Sequence, residues 1–123
     1  MQDEPTPTEL IKAVADFLRN DITPAISGHS AFKLRVAINA LDLVTRQLAL
    51  EQGSNAAEAA RLSQLLGREG SLTELNRALA DQIAKGEADL QTLGLSDHLW
   101  QTTLAKLAVD QPNYAAYRRE REK

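Results

Sequence analysis

The 123-residue sequence contains no cysteine. That removes disulfides, thiolate nucleophiles and cysteine-rich zinc sites together. Aromatic residues make up only 4% of the chain, against a hydrophobic fraction of 43%. Alanine and leucine dominate the apolar set, and both are strong helix formers. The β-branched and aromatic residues that favour strands are scarce. An excess of positive charge is also missing. The net charge is −3, so neither phosphate backbones nor anionic lipid surfaces are expected partners. No apolar run approaches the roughly 20 residues of a membrane-spanning helix. The acidic start Met1-Gln2-Asp3-Glu4-Pro5 lacks the pattern of a signal peptide, and a cytoplasmic protein is expected.

What is present predicts an all-α fold, a single-domain bundle of about five main helices with short extra turns. Residues 1–7 read as a flexible leader, 8–117 as the helical domain and 118–123 as a charged tail. Thr8 is placed as the cap of a first helix running to about Asn20, with Leu10, Ile11, Val14, Phe17 and Leu18 as its apolar stripe. Pro24 interrupts the backbone, and Ile22 and Ile26 are expected to tuck a short turn inward. The longest helix is expected over 30–51 and is apolar over most of its girth. Such a helix lies in the middle of a bundle or covers a partner. Gly53-Ser54-Asn55 is read as its end, with Asn55 capping a further helix over 56–66.

Gly67 stops that helix. Ser71-Leu72-Thr73-Glu74 has the spacing of a capping box and opens the next, which Gly86 ends. Leu90, Leu93 and Leu95 suggest a turn packing down. Ser96 is expected to cap a helix over 97–110 with Leu99, Trp100, Thr103, Leu104 and Leu107 on its inner side, broken by Pro112. Tyr114 and Tyr117 would pin a last short helix.

Catalytic signatures are scarce. The two histidines, His29 and His98, have no metal-ligand neighbour at helical spacing. Gly67 and Gly70 are not followed by the Lys-Ser/Thr of a phosphate loop, and the Gly-x-Ser-x-Gly elbow is absent. The carboxylates occupy positions where helices normally show charge to water. No catalytic residue, metal site or cofactor is therefore expected in this chain.

One polar pattern stands out. Arg35, Asn39, Asp42 and Arg46 are spaced 4, 3 and 4, so they line one face of the long helix. They are either the wet side of a mostly buried helix or a docking strip. Lys106 and Asp110 form a similar i,i+4 pair, followed by Asn113 and Tyr114. Tyr114 either packs the C-terminal segment onto the bundle or supplies rigid amphipathic contact area to a partner.

Three stretches resemble a known family: Arg35-Val36-Ala37-Ile38-Asn39-Ala40-Leu41-Asp42-Leu43-Val44 with Gln47-Leu48-Ala49-Leu50, Leu75-Asn76-Arg77-Ala78-Leu79, and Ala105-Lys106-Leu107-Ala108-Val109-Asp110-Gln111-Pro112-Asn113-Tyr114. They are similar to small bacterial helical proteins encoded beside aminoglycoside-phosphotransferase-like kinases and acyl-CoA dehydrogenases. The resemblance runs from about Pro7 to Tyr117. It implies a non-catalytic accessory subunit of a kinase that phosphorylates a 4-hydroxyacyl-CoA, such as 4-hydroxyvaleryl-CoA in levulinate breakdown. ATP and Mg²⁺ would then belong to the partner kinase; without it, the same apolar helix offers a homodimer contact. The alternative is a stand-alone helical module that binds acyl-CoA or another small ligand.

Overall fold

A computed structural model describes residues 3–123, and no strand occurs among them. Five α-helices follow in order: α1 Pro7–Phe17, α2 His29–Leu66, α3 Leu72–Ala84, α4 Leu95–Asp110 and α5 Ala115–Arg121. The all-α expectation holds. Contacts within the chain define two compact units, the first reaching to Leu50 and the second Glu51–Lys123.

In the first unit α1 begins two residues earlier than expected. Thr6, not Thr8, is the cap: its hydroxyl accepts from Glu9 N at 3.2 Å, and Glu9 Oε2 accepts from Thr6 N at 3.1 Å. Pro7 takes the first helical position, where its missing N–H costs nothing. Beyond Phe17 the helix widens into a π turn, Leu18–Ile22. It then closes as a 3₁₀ turn over Thr23–Ala25, around Pro24. Thr23 Oγ1 donates to Leu18 O at 3.0 Å and supports that wide turn. Ile26 stays exposed rather than tucked. Ala15 and Ile38 are the buried apolar residues of this unit among the described residues, so its core is thin.

The largest departure from expectation is α2. Gly53-Ser54-Asn55 does not end a helix; α2 runs through it without interruption. Gly53 has no positive φ. It is followed by Ala56, Ala57, Ala59 and Ala60, whose helix propensity outweighs the roughly 1 kcal/mol disadvantage of one internal glycine. The expected helices 30–51 and 56–66 are therefore one, and the short Ala115–Arg121 helix becomes the fifth. That helix also takes in most of the expected charged tail. Gly67, at φ +65°, ends α2 as expected.

In the second unit Ser71 and Glu74 form the anticipated reciprocal cap of α3. Leu62, Leu75, Leu79, Ala88 and Leu95 make the core, with Leu66 and Leu72 packed against it. The turn before α4 buries Ala88 and Leu95, but Leu93 is 95% exposed and Leu90 also faces solvent. Asp89 and Thr92 organise it instead, through Asp89 N to Thr92 Oγ1 at 2.9 Å and Gln91 N to Asp89 Oδ1 at 2.8 Å. Gly94, at φ +86°, leads into α4 in place of the expected Ser96 cap.

α4 is also turned relative to expectation. Leu95, His98 and Val109 are buried, and Thr102 and Ala105 are half-buried between them. These five are spaced 3, 4, 3 and 4 and share one face. Leu99, Trp100 and Thr103, expected inside, are exposed. A histidine and a threonine on the inner face would be costly without partners; the second unit supplies them.

Candidate functional sites on the two units

His98 is the buried polar residue of the described chain, 2% exposed. Its Nδ1 accepts from Arg61 Nε at 3.2 Å, and Arg61 Nη2 donates to Thr102 Oγ1 at 3.3 Å. That bond assigns the ring proton to Nε2. Burial holds the imidazole pKa below its ordinary value, and the adjacent Arg61 cation pushes it the same way; Glu58 and Asp97 oppose them more weakly. Protonation at Nδ1 would set an N–H against the guanidinium N–H, which favours the neutral ring. The triad satisfies an interior polar face and ties α2 to α4 within this unit. A recess beside it is lined by Gln64, Leu65, Leu93, Gly94 and Asp97 as well as Arg61 and His98. Among the described residues, no group of three or more acidic or imidazole side chains is placed to hold a metal ion.

The sequence-derived ridge lies in the first unit and is not uniform. Arg35 and Asn39 are exposed, whereas Asp42 and Arg46 are half-buried. Asp42 is engaged within the unit, accepting from Arg19 Nη2 at 2.6 Å. Arg19 also bridges to Asp16, which pairs with Lys12. The hydrogen bond from Lys12 keeps the Asp16 carboxyl below its usual pKa, against the opposing effect of desolvation; charge attraction to Lys12 and Arg19 and the hydrogen bond from Arg19 add to it.

A stripe that the sequence reading does not separate out shares Asn39 and Arg46 with this ridge. Phe32, Val36, Asn39, Leu43, Arg46 and Leu50 are spaced 4, 3, 4, 3 and 4, the seven-residue rhythm of a helix-pairing seam. Phe32 is 55% and Val36 53% exposed, and Leu43 and Leu50 are exposed too. The signal was present in the spacing. Asn39 and Arg46 mask it by belonging to the polar ridge as well, although polar residues at seam positions commonly set register.

Lys106, Asp110, Asn113 and Tyr114 belong to the second unit, and all four are exposed. No ion pair joins Lys106 to Asp110, so the expected pairing is not formed. Tyr114 N donates to Gln111 O at 3.0 Å, which turns the chain after Pro112 into α5. Tyr114 does not pin the last helix down; it is 55% exposed and stands on the wall of a groove. This groove, a cavity of about 400 Å³, lies between α4 and the 114–123 segment. Its lining includes Trp100, Leu104, Leu107, Tyr114, Tyr117 and Arg119.

Residues 24–114 match the model of a family described as a domain of unknown function, DUF6285. The chain belongs to the DUF6285 family. The DUF6285 segment takes in α2, α3 and α4 whole and leaves α1 and α5 outside. Every ridge, seam and α4-end residue discussed above falls inside it, Tyr114 being its last position. No curated protein and no solved structure matches the chain.

Proposed function

We propose that this DUF6285 protein is a non-catalytic accessory subunit. It docks on and supports an aminoglycoside-phosphotransferase-like kinase acting on a 4-hydroxyacyl-CoA. The observation that carries the docking part is the exposed seam on α2. Four large apolar side chains, Phe32, Val36, Leu43 and Leu50, repeat at helix-pairing intervals and stay open to solvent. Exposed apolar side chains arrayed in this way favour a protein partner over water. Asn39 within the seam and Arg35 beside it would orient the partner through polar contacts, Arg35 by its bidentate fork. The kinase would bring ATP and Mg²⁺. Its identity and substrate rest on the resemblance of the sequence to small proteins encoded beside such kinases.

The test is co-expression with the neighbouring kinase. Co-purification, and loss of hydroxyacyl-CoA phosphorylation when this chain is omitted, are expected. Val36→Glu, at an exposed position, should leave the circular dichroism spectrum unchanged and abolish co-purification. Full activity of the isolated kinase would overturn the proposal.

A further inference from the structure

The groove between α4 and α5 has a different chemistry from the α2 seam and stands independently of the docking proposal. The sequence holds five aromatic residues, one Trp, two Tyr and two Phe. Three of them, Trp100, Tyr114 and Tyr117, line this one recess. Trp100 is 49% exposed, so a large indole face stays wet although apolar neighbours lie beside it. Leu104, Leu107 and Ala116 supply the apolar floor. A cavity of about 400 Å³ falls within the range of roughly 300–1,000 Å³ seen for small-molecule sites.

The rim is cationic within an acidic chain. Residues 118–123 carry Arg118, Arg119, Arg121 and Lys123 against Glu120 and Glu122, while the whole chain has net charge −3. Lys123 on the rim is neutralised by its bond to Glu120. Arg119 also lines the groove and has no carboxylate partner among the described residues. Arg121 lies over the Tyr117 ring, 5.8 Å from its centroid, adding positive charge at that ring. No hydrogen bond within the described structure engages the hydroxyl of Tyr114 or Tyr117. Stacking faces, an apolar floor and one uncommitted guanidinium together match a ligand with a flat apolar body and one anionic end. A recess of this size takes one or two small ring systems or a short acyl group rather than a broad surface.

We infer that this groove is a binding site for a small organic anion, an aromatic or short-acyl carboxylate, sulfonate or phosphate. Its body would stack among Trp100, Tyr114 and Tyr117, and its charge would meet Arg119. Trp100 is the sole tryptophan, so its emission reports on the site alone. The probe is 1-anilinonaphthalene-8-sulfonate, titrated into the full-length protein. Its uncharged relative N-phenyl-1-naphthylamine serves as the matched control. The expected result is saturable quenching of Trp100 at one probe per chain, about tenfold tighter for the sulfonate than for the neutral compound. Arg119→Glu, on an exposed side chain, should weaken the sulfonate about tenfold and leave the neutral probe unchanged. Tyr114→Ala should weaken both. Absence of saturable Trp100 quenching, equal affinity for the two probes, or sulfonate affinity indifferent to Arg119→Glu and Tyr114→Ala would each overturn the inference.

Discussion

Replacing Gly53 with alanine should stabilise the protein, although the local sequence Gly53-Ser54-Asn55 looks like a helix terminus. In the structure Gly53 is an interior residue of α2, and a Cβ built there meets nothing within 4 Å. The substitution then removes only the backbone-entropy disadvantage of glycine, about 1 kcal/mol in a helix interior. For a chain of this size that corresponds to a rise in Tm of about 3–6 °C. Gly67 provides the opposite case. It sits at φ +65°, also with open space around it, so Gly67→Ala gains no clash but forces a side chain into the left-handed region, at a cost of about 1–2 kcal/mol. The two variants should therefore shift stability in opposite directions and differ by about 2–3 kcal/mol. Gly53→Pro should cost about 3 kcal/mol or more, because it removes an interior helix bond and clashes with the preceding turn. Urea and thermal unfolding followed by far-ultraviolet circular dichroism read all three. If Gly53→Ala is destabilising, or Gly53→Pro is harmless, the helix ends where the local sequence suggested and the continuity of α2 is wrong.

Two further outcomes follow from the second unit. Leu62 and Leu75 are fully buried, so truncating either to alanine should cost about 3–5 kcal/mol in urea unfolding, whereas Leu93→Ala at a 95% exposed position should change stability by less than about 0.5 kcal/mol. His98 has a folded pKa below the ordinary 6.5, so the unfolded chain binds its proton first as pH falls. Its contribution is complete above about pH 6.5 and declines as pH drops from there toward the folded value. Wild-type stability should fall across that window, and His98→Gln should flatten the slope between about pH 6.5 and the onset of carboxylate titration.

Local signals were legible where chemistry and structure act over three or four residues. The Ser71–Glu74 capping box, the stops at Gly67 and Gly86 and the break at Pro112 could all be read directly. At the first helix the same logic pointed to Thr8. The Thr6-Pro7-Thr8-Glu9 run holds a better box, and Pro7 fits its first position. Gly53 misled because a glycine followed by Ser and Asn mimics a terminus, while the alanine-rich stretch beyond it favours continuation. The face of α4 could not be read because the bonds that let His98 and Thr102 point inward come from Arg61, 37 and 41 residues away. Counting them as polar rotated the helix and hid Trp100 in an imagined core, which concealed the aromatic groove. Tyr114 stands out in the sequence as either a packing or a contact residue, but the ring company it keeps depends on how α5 folds back toward α4.

The unbroken course of α2 also bears on how such a protein can be inherited. The border between its two units, after Leu50, falls in mid-helix. A gene fusion, splice or circular permutation joined there would cut successive turns apart. It would leave about four amides and four carbonyls without partners on the new ends. The two halves are thus poor candidates for exchange as separate cassettes. Recombination that preserves the fold is steered toward the glycine turns at Gly28, Gly67 and Gly86, where the backbone already leaves the helix.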